Sequence, residues 1–267
     1  MERPIGVIDS GLGGLTVAKE IMRQLPKEEI VYLGDSARCP YGPRTPDEVR
    51  SFTWEMIQRL EAEKMKMLVI ACNTAAAVVL EEVKQKLSIP VIGVVHPGAL
   101  SALKVTKNDH VAVLGTEGTI KSKAYELALH SIKSTITIDS LACPGFVPLV
   151  ERGIFTGEEA QRTVDETLKE LKGREFDTLI LGCTHYPLLL DVIRQSIGEH
   201  VNIISSGAEA AREVSSLLYH KNLLYTAERI PVHHFLTTGN AERFKVLADQ
   251  WLEVSIERVE TVSLGSK

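Results

Sequence analysis

DTLILGCTHYPLLL, residues 177–190, runs as an apolar segment, Leu179-Ile180-Leu181, into Gly182. Cys183 and His185 follow at once, where a helix is expected to start. MLVIACNTAAA, residues 67–77, has the same plan: apolar segment, small residue, Cys72, Asn73, Thr74, then a helix-forming run. The segments that open each half correspond too. GVIDSGLGGLTV (6–17) resembles AVLGTEGTIKS (112–122), which sets Asp9-Ser10 against Gly115-Thr116. Two such pairs in the same order indicate two related halves.

Outward from these pairs, short apolar runs alternate with longer amphipathic stretches. Strands are expected at 5–9, 29–33, 67–71, 90–94, 110–114, 135–140, 178–182 and 201–205, with two more near 231–237 and 256–261. Helices are expected at 14–24, 46–64, 74–86, 98–104, 119–131, 157–171, 186–197, 208–219 and 240–251. Polar start signals such as Thr45-Pro46-Asp47-Glu48 and Thr156-Gly157-Glu158-Glu159 support several of them. The alternation predicts an α/β fold of two pseudo-symmetric lobes, each a mostly parallel sheet flanked by helices. The expected lobes are 1–95 plus 208–267, and 96–207, with the active site in the cleft between them. Ligands of parallel sheets collect outside the carboxyl ends of the strands, where both cysteines fall.

Bulk composition narrows the function class. The 267 residues are 44% apolar and 24% charged, as expected of a globular chain with a substantial core. A net charge of −5 offers no basic excess to neutralise phosphates, so no nucleic-acid partner is expected. No apolar run approaches the ~18 residues of a membrane span, and Met1-Glu2-Arg3-Pro4 leads straight into a strand without a signal-peptide core. The expected location is the cytoplasm, with no membrane partner. Four cysteines, Cys39, Cys72, Cys143 and Cys183, form no CxxC pair, and a reducing compartment argues against disulfides. A free cysteine is ordinarily a small buried hydrophobe, so any function must come from its surroundings.

At strand-to-helix junctions, unpaired N–H groups and the helix dipole favour negative charge. The expectation is therefore a thiol pKa below its ordinary ~8.5. A thiolate on one face of a tetrahedral carbon and a thiol on the other can remove and return a proton, which inverts the centre: racemisation or epimerisation. Contacts of ~3–3.5 Å on each side set the sulfurs roughly 6–7 Å apart. Asp9 is the expected proton partner of Cys72, and His185 that of Cys183, with a turn or cap as the plainer role of Asp9 and a structural one as the plainer role of His185. Ser10, Asn73, Thr74, Thr116, Thr119 and Thr184 cluster at the same strand ends and could hold carboxylates, with helix capping as their plainer role. DSARCPYGPR (35–44) adds a tight Pro40-Tyr41-Gly42 turn.

Taken together, IDSGLGGLTV, GDSARCPYGPR, ACNTAAA, GTEGTI, LVERG and LGCTHYPLL resemble the glutamate racemases, within the aspartate/glutamate racemase superfamily. The resemblance spans residues 5–190. It implies interconversion of L- and D-glutamate, which supplies D-glutamate for peptidoglycan, with no pyridoxal phosphate, metal or nucleotide. By position, it makes Cys72 and Cys183 the two acid/bases, Asp9 and His185 their assistants, and Glu151 of LVERG a further carboxylate near His185. Substrate contacts are implied for Asp9, Ser10, Pro40, Tyr41, Gly42, Asn73, Thr74, Thr116, Thr119, Thr184 and His185. Cys39 and Cys143 match no catalytic position. A homodimer is implied. Some members need a cell-wall precursor as activator and often carry an N-terminal extension; this chain starts at its first strand, so independence of the activator is the expectation.

Three rival readings exist. A racemase of aspartate or another acid would use the same thiol chemistry. A nucleotide-binding oxidoreductase would use the glycines of GVIDSGLGG and Asp35, but Thr16 stands where GxGxxG spacing needs glycine, and no GxxxxGK[ST] loop occurs. A non-catalytic small-acid-binding protein would leave both cysteines buried and inert.

Overall fold

Apolar runs without polar alternation need cover on both faces, and this chain supplies it by following nearly every strand with a helix. A computed structural model describes residues 2–253 and 256–265. The chain runs β1 (Ile5–Asp9), α1 (Leu15–Gln24), β2 (Ile30–Gly34), α2 (Pro46–Glu61), β3 (Met67–Ile70), α3 (Asn73–Lys86), β4 (Val91–Gly93) and α4 (Val95–Val105). It continues with β5 (His110–Gly115), α5 (Glu117–Lys121), α6 (Ala124–Ile132), β6 (Thr137–Ala142), α7 (Phe146–Glu151), α8 (Gly157–Leu168), β7 (Thr178–Gly182), α9 (Leu190–Ile197) and β8 (Asn202–Ser205). It closes with α10 (Ser206–His220), β9 (His234–Thr237), α11 (Ala241–Leu252) and β10 (Val259–Thr261).

Two sheets result. One has the order β10-β9-β2-β1-β3-β4, the other β6-β5-β7-β8. Every pairing among the described residues is parallel. The order β2-β1-β3-β4 in the first sheet repeats as β6-β5-β7-β8 in the second, so the halves correspond strand for strand. Ile8 pairs with Ile70, and Gly115 with Gly182. Continuing each register brings Ser10 beside Cys72 and Thr116 beside Cys183.

β1, β2, β3 and β7 are buried along their whole length. Each buried Ile, Val or Leu there stabilises the fold by roughly 1.5–3 kcal/mol relative to exposure. After β8 the chain returns to the first sheet: α10 packs on both α1 and α4, and β9 pairs with β2.

Local differences from the sequence reading have local causes. The helix expected at 119–131 is split into α5 and α6 because Lys123 takes a left-handed conformation, φ 55°. The helix expected from 98 begins at Val95 and carries Pro97 in its first turn, where a missing N–H costs nothing. The stretch expected as 186–197 opens with a 3-10 turn, Tyr186–Leu189, around Pro187 before α9. The six-residue α7 was not anticipated; it starts after Gly145 and also has proline in its first turn. The start of α2 follows its sequence signal, since Thr45 and Glu48 form a capping box.

Candidate active site

Cys72 is the N-cap residue of α3. Its Sγ accepts the Ala75 N–H at 3.5 Å and lies 3.6 Å from Ser10 Oγ. Cys183 occupies the matching place after β7, with Sγ 3.9 Å from His185 Nδ1. Both thiols are almost fully buried, and both line one slot at the carboxyl ends of the two sheets. Ser10, Asn73 and Thr74 contribute to its wall from the first sheet, Thr116, Thr184 and His185 from the second, and Pro40-Tyr41-Gly42 from the loop after β2. The slot is a cavity of only about 10 Å³, room for roughly one water.

The charged groups are arranged unequally about the two sulfurs. His185 is buried, and its Nε2 lies 2.7 Å from Glu151 Oε1, at the end of α7. Burial alone would pull the imidazole pKa down, but hydrogen bonds to Cys183 and Glu151 lift it to about 10. The ring is therefore an imidazolium at neutral pH. Behind it, Trp251 of α11 meets its edge at 6.2 Å between centroids. On the other side, burial pushes the Cys72 thiol up to about 12, reinforced by the nearby Asp9 carboxylate and only partly opposed by the Ala75 and Ser10 hydrogen bonds. This corrects the sequence expectation of a lowered thiol pKa. At Cys72 the loss of water outweighs the helix N-terminus.

Asp9 acts on Cys72 through its charge. Its hydrogen bonds run to the Gly11 N–H (3.0 Å) and to Thr184 Oγ1 (3.2 Å), across to the other sheet, rather than to Cys72. Burial raises its pKa, while the charge of His185 pulls the other way. Gly13 is forced to be glycine by the same crossing: a Cβ there would sit 2.3 Å from Thr184 Oγ1 and 2.4 Å from His185 Nδ1. Thr16, the residue that breaks a dinucleotide fingerprint, donates to the Thr184 carbonyl at 3.0 Å.

The hydroxyls form a second bridge between the sheets. Thr74 Oγ1 lies 2.8 Å from Thr116 Oγ1 and 3.3 Å from Thr119 Oγ1. Thr116 also caps α5 by accepting the Thr119 N–H, so the capping role holds for it as well. Asn73 Oδ1 accepts from the Tyr125 hydroxyl at 2.7 Å, while its buried Nδ2 has no hydrogen-bond partner. An unpaired buried amide costs about 1–3 kcal/mol, which a ligand oxygen would relieve.

The slot thus gathers the two cysteines and most of the other positions singled out from sequence. Asp9 and Thr119 stand just behind the wall, and Glu151 stands behind His185. Sequence reasoning missed three contributors. Val147 of α7 lines the slot. Tyr125 orients Asn73. Asp35, fully buried, accepts from the Tyr41 hydroxyl at 2.5 Å, from Arg38 Nε at 2.6 Å and from Thr238 Oγ1 at 2.7 Å, and so holds the loop carrying Tyr41 and Gly42. No spacing signal marks Val147 or Tyr125. Asp35 carries a signal, a strand-end carboxylate, but one that reads as a nucleotide ligand.

Comparison with known proteins adds an independent line. The profile of the Asp/Glu/Hydantoin racemase family matches residues 5–214. A glutamate racemase of Shouchella clausii is 60% identical over 99% of this chain and 95% of its own length. The crystal structure of glutamate racemase isoform RacE1 from Bacillus anthracis superposes with a TM-score of 0.94 at 50% identity, covering 98% of this chain and 97% of that one. That of glutamate racemase from Francisella tularensis in complex with D-glutamate gives 0.92 at 34% identity, covering 98% of each chain.

Proposed function

The chain belongs to the Asp/Glu/Hydantoin racemase family, and we propose on that ground that it interconverts L- and D-glutamate by proton transfer between two cysteines and Cα. It is an amino-acid racemase, and its D-glutamate serves peptidoglycan synthesis. The observation that carries the two-thiol reading is that Cys72 and Cys183, at matching strand ends of the two sheets, line the same slot.

The chemistry follows from the unequal surroundings. Burial and Asp9 keep Cys72 a thiol, and His185 stands beside Cys183 as the proton partner of that sulfur. One sulfur takes the Cα proton as the other delivers one to the opposite face, and the roles exchange for the other enantiomer. Glu151 keeps His185 charged and oriented. Asp9 spans the two halves through Thr184 and acts on the proton balance of the Cys72 side. Asn73, Thr74, Thr116, Thr119, Thr184 and Ser10 take up the substrate carboxylates, and Pro40-Tyr41-Gly42 closes over them.

The slot has space for about one water, so glutamate enters only when the halves part. The Thr74–Thr116 bridge is then exchanged for bonds to substrate. The units that move are 1–95 with 208–267 and 96–207; positions 1, 254, 255, 266 and 267 lie outside the described residues. We further place the protein in the cytoplasm as a homodimer working without a cofactor; no helix among the described residues is long and apolar enough to cross a membrane.

The test is incubation of the purified protein with L-glutamate or L-aspartate, without additives, followed by chiral chromatography. L-glutamate is expected to reach an equal mixture of enantiomers, with aspartate far slower. Unchanged glutamate, or turnover only after pyridoxal phosphate is added, would overturn the reading.

A further inference from the structure

Cys39 takes no part in the proton transfers above, yet its side chain abuts their machinery. Its Sγ points to Glu151 Oε1 at 4.0 Å, and that oxygen lies 2.7 Å from His185 Nε2. The ligand-capable atoms of Cys39, Glu151 and His185 all fall within 4.8 Å of one another. Bond lengths to tetrahedral zinc of ~2.0–2.3 Å imply ligand–ligand edges of roughly 3.3–3.8 Å, so closing the cluster around an ion needs shifts on the order of 1 Å. Three separate elements supply the donors: the loop after β2, the end of α7 and the turn after β7.

Gly11 leaves the space beside them open; a Cβ there would come within 3.0 Å of Cys39 Sγ and 3.6 Å of Glu151 Oε1. Glu151 is about a quarter exposed, which gives an ion a way in. One thiolate, one imidazole and one carboxylate, with a fourth position for water, is a donor set for a borderline-soft cation. Mg²⁺ and Ca²⁺ prefer all-oxygen shells.

We propose that Cys39, Glu151 and His185 form a site for a thiophilic divalent cation of the Zn²⁺ class, and that its occupancy switches the racemase off. The switching rests on the glutamate racemase reading; the binding does not. On binding, the Cys39 thiol releases its proton to solvent and its sulfur donates a lone pair to the metal. His185 binds through Nε2 as neutral imidazole, keeping its proton on Nδ1; the proton leaving the imidazolium also goes to solvent. Glu151 exchanges its imidazole partner for the cation. No group is oxidised or reduced. His185, now bonded to the ion instead of Glu151, is pulled from its place beside Cys183, and proton transfer at that sulfur stops.

The test uses the full chain, with Co²⁺ as a spectroscopic probe and Zn²⁺ as the inhibitor. One Co²⁺ per chain is expected, with a thiolate-to-cobalt charge-transfer band that is absent in Cys39→Ser and survives in Cys72→Ser/Cys183→Ser. Cys39→Ser is expected to racemise glutamate at the wild-type rate. It should need roughly 100-fold more Zn²⁺ for half-inhibition, the upper end of what even an outer-shell partner contributes. A band kept in Cys39→Ser, a band lost in Cys72→Ser/Cys183→Ser, or equal Zn²⁺ sensitivity of Cys39→Ser and wild type would overturn the proposal. A wild-type protein that binds Co²⁺ as described but does not racemise glutamate would sink the function reading and leave the site standing.

Discussion

The two sheets share strand order and register, and each ends its third strand on a buried cysteine, yet the groups around those cysteines differ. Where the first half has Asp9, the second has Gly115; where the second has His185, the first has Thr74. The repeated scaffold puts two like thiols at equivalent places. The unlike neighbours set them in different surroundings, an imidazole beside Cys183 and a carboxylate near Cys72. A reaction that runs equally in both directions thus rests on a site that is symmetric in geometry and asymmetric in charge.

The strongest way to break this comparison is to remove a thiol. Cys72→Ser and Cys183→Ser should each lower kcat by about 10⁴-fold, the top of the range for general acid–base assistance, with circular dichroism unchanged. A surviving rate in one of them would mean a single base. Next, His185→Asn should cost roughly 10²–10³-fold in kcat and Asp9→Asn about 10²-fold, both read from initial rates. Equal effects of Asp9→Asn and Gly115→Ala would remove the asymmetry.

The lobes' correspondence was legible because it lives in local patterns. Apolar runs ending at Cys72 and Cys183 fix the strands, and glycine, proline and capping residues fix most helix starts. The charge balance was not legible. The raised pKa of Cys72 depends on how completely its surroundings exclude water, and the Asp9–Thr184 bond joins residues 175 positions apart. Glu151 was reachable only by resemblance, since its pairing with His185 depends on the placement of the short α7. Tyr125 gave no signal because its contact with Asn73 crosses between sheets.

Smaller effects sharpen the picture. His185 has its pKa raised from 6.5 to about 10 in the fold. Its contribution to stability is therefore fully present below pH ~6.5 and lost as pH rises through about 10. Urea unfolding of the wild type should show that decline, and His185→Asn should flatten it. Smallest of all, Tyr125→Phe leaves Asn73 Oδ1 without its donor. It is expected to destabilise the protein by about 1–3 kcal/mol, read from the urea midpoint, with a several-fold rise in KM for glutamate.

The central claim, one monoprotic thiol on each face of Cα, is tested most directly by racemisation in D₂O from each enantiomer in turn, followed by mass spectrometry of the separated enantiomers at low conversion. The account predicts deuterium at Cα of the product enantiomer in both directions, while the remaining substrate keeps its hydrogen. Deuterium entering substrate and product together, or product formed with the substrate's own hydrogen, would assign both transfers to one base and contradict it.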